Sequence, residues 1–405
     1  MIRKQILAAF VGGCMLAFAA PVHAQPLTER AAVQLGLEVA AWREWADASM
    51  DQARNRTRAT GLLDNPEFEF IDESLDLPGG NTDRFYWLRQ PLDLTGRNAL
   101  TRKSARAAEG ITAADVSLVR RQRARAIRAS FYRAIKLRGE TEAMQTWRER
   151  LAELGQAVTE RVRAGDASRF DRLRIKREQS LLDGRLAASH AELNSARKRL
   201  FGLLESRPRA LAGHLLPADP PQAAAVLAGL QSHPEVRRLQ AGAEADQLAA
   251  RAAGREAWPE ATLGVGVRRF EDGPISETGG VFSIGVEVPL FDRGRQRRAA
   301  AEAGAGAKSA EAAMAIARLE TEARALLDEL ALRRDAALAA RAALEGDAGS
   351  LPEIAEASYR AGELDVMNLL DAWQTELDLR LQAIELAYAA RVAAIELMQM
   401  TGEPQ

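Results

Sequence analysis

The stretch that governs the fold prediction is Gln90-Pro91-Leu92-Asp93-Leu94-Thr95-Gly96-Arg97. It returns as Val288-Pro289-Leu290-Phe291-Asp292-Arg293-Gly294-Arg295, which places the two copies 198 positions apart. Three other pairs of short strings follow in the same order at similar offsets: Asn65-Pro66-Glu67 with Trp258-Pro259-Glu260, Arg163-Ala164-Gly165 with Arg360-Ala361-Gly362, and Leu182-Asp183 with Leu377-Asp378. Landmarks that keep their order and spacing indicate an internal duplication. The predicted units are a first repeat at 25–207, a proline-rich connector at 208–234 and a second repeat at 235–405.

Each repeat contains a pair of predicted β-strands upstream of its Pro-to-Arg motif. In the second repeat, 262–270 and 281–290 alternate apolar and polar residues, which is the pattern of a half-buried strand, and 271–280 is predicted to be a turn-rich loop. In the first repeat, 68–75 and 84–94 form a less regular pair. Four strands are too few to close a barrel, whereas three copies of the chain would supply twelve.

The two Pro-to-Arg motifs are predicted to turn the chain from strand into helix. Proline suits a strand end, where no ladder donor is needed, and glycine suits a sharp change of direction. The re-entry residues are Pro91, Gly96 and Arg97 in the first repeat, and Pro289, Gly294 and Arg295 in the second.

Long helical hairpins follow the motifs. The segments 97–164 and 295–361 contain one proline, Pro352, and about 65 helical residues span roughly 100 Å. Return helices are predicted at 166–204 and 363–400. The last of them carries one apolar stripe at spacings of three and four: Leu370, Trp373, Leu377, Leu381, Ile384, Tyr388, Val392 and Ile395.

The N-terminus has the pattern of a secretory signal peptide. Arg3 and Lys4 precede an apolar stretch at 6–20, and small residues lead to a predicted cleavage site after Ala24. The signal peptide is therefore expected at 1–24, and it would include Cys14, the single cysteine of the chain. A mature protein without cysteine would have no disulfide or thiolate site.

The composition argues against several classes of function. A formal net charge of −1 does not favour nucleic-acid binding. The three histidines beyond the signal peptide are far apart, so no metal cluster is expected, and no phosphate-binding loop or catalytic constellation is recognisable. We expect no cofactor, no metal site, no catalytic residue and no enzymatic activity.

Together these features resemble the TolC-like outer-membrane efflux protein family. The resemblance rests on the motifs quoted above and on Ser358-Tyr359-Arg360-Ala361-Gly362-Glu363 continuing to Leu369-Leu370-Asp371-Ala372, and it covers nearly the whole mature chain. Within the family, the string from Gln90 to Arg97 and the compact length resemble the heavy-metal cation efflux branch.

The resemblance implies a mainly α fold with β-strands: long helical hairpins and β-hairpins that form a trimeric α-helical tunnel and a shared twelve-stranded transmembrane β-barrel. The homotrimer would sit in outer-membrane lipid with a periplasmic extension. The strand segments 66–94 and 259–290 would insert in the membrane. The channel would be a passive exit duct for substrates delivered by a periplasmic adaptor protein and an inner-membrane pump.

The resemblance also implies two kinds of site at the hairpin tips. The adaptor would dock on Arg163 and Gly165 of the first tip and on Tyr359, Arg360 and Gly362 of the second, where the first repeat has Val162 in place of Tyr359. A channel gate would lie on the helix after the second tip, at Asn368 and Asp371. Only Asp371 is charged, which departs from the doubly acidic pattern of the family.

Two other classes of protein remain as alternatives. A periplasmic coiled-coil adaptor or scaffold would also be exported and helical, but the strand hairpins in both repeats argue against it. A secreted hydrolase is disfavoured by the lack of cysteine, the sparse histidine and the helical repeats.

Overall fold

The computed structural model of the chain describes residues 26–74 and 81–401. The predicted signal peptide and Cys14 lie outside the described residues, as do residues 75–80 between the first two predicted strands.

The described chain follows the duplicated order that the sequence predicts. The first repeat comprises β1 (Leu27–Thr28), α1 (Glu29–Leu37), α2 (Ala40–Ala59), β2 (Glu67–Ser74), β3 (Asn81–Leu92), α3 (Arg97–Ala164) and α4 (Arg169–Leu203). The connector holds β4 (Leu211–Ala212), α5 (Ala223–Gly229) and a short 3-10 turn. The second repeat comprises α6 (Pro234–Arg255), β5 (Glu260–Asp272), β6 (Ile275–Glu287), α7 (Arg295–Glu345), α8 (Asp347–Ala361) and α9 (Val366–Thr401).

The four long strands form one antiparallel sheet in the order β2-β3-β5-β6. The predicted loop at 271–280 is wrong, because β5 runs to Asp272 and pairs there with Ile275, which leaves a turn of only Gly273 and Pro274. The glycines at 279 and 280 suggested a turn from sequence. In the structure they are extended strand residues whose missing side chains would meet open space.

The two faces of this sheet differ in chemistry. Directly paired residues point to the same face, so the register places one set of apolar side chains together: Phe68, Phe70, Tyr86, Leu88, Leu263, Val265, Val267, Phe282, Ile284 and Val286. We call this set the apolar band. Every member is exposed in the single chain, from 37% at Leu263 to 67% at Phe68. The alternation was therefore predicted correctly, and in the single chain nothing covers the apolar face.

Opposite the apolar band lies a charged face. It carries Glu67, Glu69, Asp83, Arg89, Glu260, Arg268, Glu277 and Glu287. Arg268 pairs with Asp83 at 2.5 Å, and Arg89 pairs with Glu69. A sheet with an exposed apolar face and a charged opposite face does not resemble one layer of a soluble core.

The helices pack side by side as a layer of neighbours. α3 packs against α2 and α6 towards the sheet, and against α4 and α9 towards the other end. α7 in turn packs on α6 and then on α9. No helix in the described part of the chain has an apolar stretch long enough to cross a membrane.

The second long arm is not continuous. The sequence predicts an arm at 295–361 interrupted only by Pro352, yet α7 ends at Glu345 and α8 begins at Asp347. Gly346 breaks the helix by adopting an extended conformation with φ −95° and ψ −158°. Pro352 lies inside α8, where it is buried. The first arm, α3, runs unbroken for 68 residues.

Three hydrophobic clusters hold the helices together. One of them joins α1, α3, α4 and α9 around the fully buried Phe131 and Leu200, and the parallel pair β1–β4 attaches the connector to it. Arg391 of α9 closes this region by donating to the backbone carbonyls of His214, Leu215 and Leu216 at 2.8–2.9 Å. The connector is thus packed against the layer of helices.

His233, at the end of the connector, makes stability depend on pH. It is 7% exposed, and its Nδ1 accepts a hydrogen bond from the backbone N–H of Glu235 at 3.3 Å. Burial of the imidazole is the main cause that lowers the pKa of His233 from 6.5 to about 4. The positive charges of Arg121 and Arg318 also lower this pKa, whereas the negative charge of Glu235 raises it. The folded state therefore disfavours the protonated form.

We expect His233 to contribute stability above its unfolded pKa of 6.5, and to lose that contribution as the pH falls towards 4. The loss should approach about 3 kcal/mol per chain. In His233→Asn, asparagine keeps a helix-capping oxygen but does not titrate. Thermal unfolding at about pH 7.5 and about pH 4.5 should show a smaller destabilisation on acidification in the variant than in the wild type. Equal destabilisation of both proteins would contradict the role of His233.

Candidate functional site

The strand-to-helix junctions are built in the same way in both repeats. Gly96 and Gly294 precede α3 and α7 with φ of 72° and 66°, the left-handed region that favours glycine. A side chain at residue 294 would also collide with the carbonyl oxygen of Ala253 at 2.3 Å. The sequence predicted this change of direction from the glycines alone.

Aspartates cap the helices that begin at these junctions. The carboxylate of Asp93 accepts hydrogen bonds from the backbone N–H groups of Arg97 at 3.1 Å and Asn98 at 2.8 Å. Asp292 accepts from the N–H of Gly294 at 3.0 Å and pairs with Arg297 at 2.8 Å, and these two contacts hold the pKa of Asp292 below its usual value. Asp292 should therefore stay ionised at neutral pH.

The other predicted re-entry residues occupy both sides of the same junction. Pro91 lies in β3 opposite Thr262 of β5 and beyond the last β2–β3 pair, so it stands where the strand has only one neighbour. Pro289 follows β6, and Arg295 is exposed at the start of α7. Arg97 forms an ion pair with Glu260 at 2.8 Å, which joins the start of α3 to the start of β5 and thereby links the two repeats.

At the opposite end of the helices, Gly165 and Gly362 end α3 and α8 with φ of 89° and 79°. The backbone N–H of Asp166 donates to the carbonyl of Arg161 at 2.8 Å, and the N–H of Glu363 donates to that of Ser358 at 2.9 Å. These are the hydrogen bonds of a left-handed helix stop. Both glycines would bear a side chain without any clash, since nothing lies within 4 Å of the added carbon.

Capping residues that the sequence analysis missed start the return helices. Ser168 and Asp171 form a reciprocal capping box on α4. The carboxylate of Asp365 accepts from the N–H groups of Met367 and Asn368 at 3.0 and 2.9 Å. The sequence signal was present in both cases, because serine and aspartate are preferred N-caps.

The structure brings the two tips together. The guanidinium of Arg161 lies 5.6 Å from the ring centroid of Tyr359 and donates to its hydroxyl at 3.4 Å. Arg163 and Arg360, which the sequence analysis selected, are exposed, and Arg360 pairs with Glu356 of its own helix. The internal duplication could not predict the contact between Arg161 and Tyr359, because these residues do not occupy equivalent positions in the two repeats.

Asn368 and Asp371 lie on the exposed face of α9, on the same side as Asp378 two turns further along. Within the described chain, neither aspartate takes part in an ion pair. The remaining acids of α9 are paired with α3: Glu376 with Arg150 at 2.7 Å, Glu385 with Lys136 at 2.5 Å, and Glu396 with Arg125. The uncompensated negative charge on this helix is thus concentrated near the tip.

Among residues 26–74 and 81–401, no group of three histidine, cysteine, aspartate or glutamate side chains is placed to hold a metal ion. The described helices form a layer with charged and apolar faces.

Comparison with known proteins identifies relatives with the same architecture. No family model matches the chain. The chain is similar to the cobalt-zinc-cadmium resistance protein CzcC of Cupriavidus metallidurans, with 23% identity over 384 residues that cover 94% of this chain and 91% of the relative.

Solved structures share the fold at low sequence identity. A membrane protein from Pseudomonas aeruginosa has a TM-score of 0.73 at 16% identity, over 92% of this chain and 93% of that chain. The CmeC outer membrane channel of Campylobacter jejuni has a TM-score of 0.70 at 15% identity, over 92% and 85%. The open MtrE outer membrane channel of Neisseria gonorrhoeae has a TM-score of 0.72 at 15% identity, over 92% and 88%. The predicted TolC-like fold is confirmed.

Proposed function

We propose that this protein is the outer-membrane channel subunit of a tripartite efflux system. In this proposal three subunits form one duct, with the sheets in the outer membrane and the helices extending into the periplasm. A periplasmic adaptor and an inner-membrane pump would deliver the substrate. The duct is passive, so the chain itself catalyses no reaction.

The observation that carries this proposal is the exposed apolar band. Large contiguous apolar patches are rare on soluble monomers, and an outer face of apolar side chains with a charged inner face is the arrangement of a membrane β-barrel strand. The ring of Tyr86 packs on that of Phe70 at 5.0 Å, next to the charged row of Asp72 and Arg84. An aromatic pair at the edge of the band suits the boundary between lipid and headgroups.

The open edges of the sheet support a ring of subunits. β2 and β6 each have one unpaired side, and unpaired strand edges invite another strand. Pairing of β6 with β2 of the next copy would close twelve strands from three chains. At the far end, α4 exposes Phe170, Leu173 and Leu181, and α8 exposes Leu351 and Ile354 by 50% or more, which gives the helical layer two apolar edges as well.

Membrane fractionation of cells that express the full chain tests this function. A heat-resistant trimer in the outer-membrane fraction is the expected result. A soluble periplasmic species would contradict it and would favour the alternative, a coiled-coil adaptor or scaffold protein.

For the substrate, we propose heavy-metal cations. The support is the likeness to a cobalt-zinc-cadmium resistance protein across nearly the full length of both chains. Deleting the gene should sensitise the cell to divalent metal cations, and re-expression should restore resistance. Sensitivity to hydrophobic drugs alone would overturn this choice of substrate.

The proposed functional residues lie at the tips. The adaptor would dock on the exposed turns formed by Arg163 and Gly165, and by Tyr359, Arg360 and Gly362. The gate would be formed by Asn368 and Asp371 from each of three subunits. Their exposure on α9 and the lack of an ion pair at Asp371 among the described residues support this assignment.

A ring of three Asp371 carboxylates would attract cations at the entrance. We expect Asp371→Ala to weaken cation selectivity and block by multivalent cations in planar-bilayer conductance. Asp378→Ala should have a smaller effect, because Asp378 would lie two turns higher in a wider part of the duct. If both variants conduct like the wild type, the gate assignment is wrong, although the channel assignment would stand.

A further inference from the structure

A basic groove lies where the helices meet the strands. It encloses about 650 Å³ between the end of α6, the start of α7 and the start of α3. Its lining includes three arginines, Arg251, Arg255 and Arg298, one acidic residue, Glu302, and the apolar Leu100 and Trp258. We call this the collar groove.

The charges of the collar groove are only partly compensated. Arg298 donates to Glu302 of the same helix at 2.8 Å. The nearby Arg297 is neutralised by Glu256 and Asp292. Arg251 and Arg255 are exposed and take part in no ion pair that the described residues show. Two guanidinium groups of the groove are therefore available to an anionic ligand.

An exposed tryptophan accompanies these arginines. Trp258 is 60% exposed although it lies in the groove, and β5 begins two residues later at Glu260. The lowest row of the apolar face, Ala261 with Val286 and Leu92, comes one residue further on, so Trp258 lies within ~10 Å of it along the strand. Tryptophan is enriched at the level of lipid headgroups, where its ring is apolar and its N–H is polar.

We infer that the collar groove binds the phosphate of an anionic phospholipid in the periplasmic leaflet. This inference rests on the proposed membrane position of the sheet. Guanidinium groups bind phosphate through two parallel hydrogen bonds, and basic pockets beside membrane-spanning segments bind acidic headgroups. Trp258 and Leu100 would contact the start of the acyl chains. The groove would fix the depth of the subunit in the membrane.

Arg251 and Arg255 also lie near the C-terminus of α6, where positive charge stabilises the helix dipole. A role confined to the helix would alter stability in detergent without creating a preference among lipids. The lipid preference is therefore the quantity to measure.

The test uses the full-length protein reconstituted in phosphatidylcholine vesicles with a minor fraction of phosphatidylglycerol, one lipid being brominated at a time. The fluorescence quenching that belongs to Trp258 is obtained by subtracting the quenching of the Trp258→Phe variant from that of the wild-type protein. We expect brominated phosphatidylglycerol to quench Trp258 preferentially. The double variant Arg251→Gln/Arg255→Gln should reduce this preference about tenfold or more, as each basic side chain near the surface contributes about fivefold.

A matched control removes the same charge elsewhere. Lys198 and Arg199 are exposed near the end of α4 and form no ion pair in the described chain. Lys198→Gln/Arg199→Gln should leave the preference unchanged, and inorganic phosphate added to wild-type vesicles should not displace the lipid. Equal quenching by both lipids, an unchanged preference in the arginine variant, or displacement by free phosphate would overturn the inference.

The experiment separates this inference from the proposed function. If the wild-type protein inserts in the vesicles but neither brominated lipid quenches Trp258, the groove does not face lipid and only the inference is lost. If the wild-type protein inserts in no vesicle, the proposed channel function itself is contradicted.

Discussion

Arginine in place of Val265 is expected to abolish the assembled outer-membrane trimer. Val265 lies in the middle of the apolar band, between Leu88 and Phe282 on the neighbouring strands, and is 49% exposed. An arginine on the lipid face near the bilayer midplane costs about 2–4 kcal/mol. Three subunits would incur this cost together, about 6–12 kcal/mol in all, which is comparable to the whole stability of a typical domain. Heat-resistant trimer in the outer-membrane fraction should fall at least tenfold.

Thr262→Arg is the matched control for this experiment. Thr262 is in the same strand but points to the charged face, opposite Pro91 and Gly285. Gly285 has no side chain, which leaves room for the longer arginine. Thr262→Arg should therefore assemble at nearly the wild-type level. If both variants assemble equally well, the apolar band does not contact lipid.

Tryptophan in place of Gly362 is expected to remove efflux while leaving the trimer intact. The left-handed backbone at Gly362 costs a non-glycine residue about 1–2 kcal/mol, and the new side chain would project from the exposed tip without a clash. A bulky ring at the proposed docking surface should block the adaptor. Metal resistance of complemented cells should fall to the level of the deletion strain.

Gly202→Trp provides the control for the tip experiment. Gly202 is exposed, an added side chain there also meets open space, and it lies at the far end of α4 from the tips, about 50 Å away along the helix. Gly202→Trp should retain full resistance. If Gly362→Trp instead reduces the amount of trimer in the membrane, Gly362 serves only to turn the chain.

Most of the fold could be predicted from the duplicated motifs. The predicted arm at 97–164 coincides with α3, because glycine stops at residues 96 and 165 mark both of its ends. The segment 271–280 was predicted to be a loop, but most of it belongs to β5 and β6. The prediction failed because glycine is found both in turns and in extended strands. The break at Gly346 was missed because an isolated glycine is tolerated in many helices, and Pro352 was the more conspicuous signal.

The sites were predictable only where they depend on local backbone geometry. Gly96, Gly165, Gly294 and Gly362 all adopt the left-handed conformation that their positions implied. The contact between Arg161 and Tyr359 depends on how two distant hairpins lie side by side, which no local pattern encodes. The collar groove likewise assembles from three helices that are remote in sequence.

In the proposed trimer, the open edges β2 and β6 would make each subunit a directional building block. A subunit with a damaged β6 and an intact β2 could still join a partner, but no further subunit could join it. Such a protein would act as a chain terminator during assembly. When damaged and intact subunits are made in equal amounts and mix at random, only about one ring in eight would contain three intact subunits. Alleles of this kind would therefore be genetically dominant, whereas a simple deletion of the gene would be recessive.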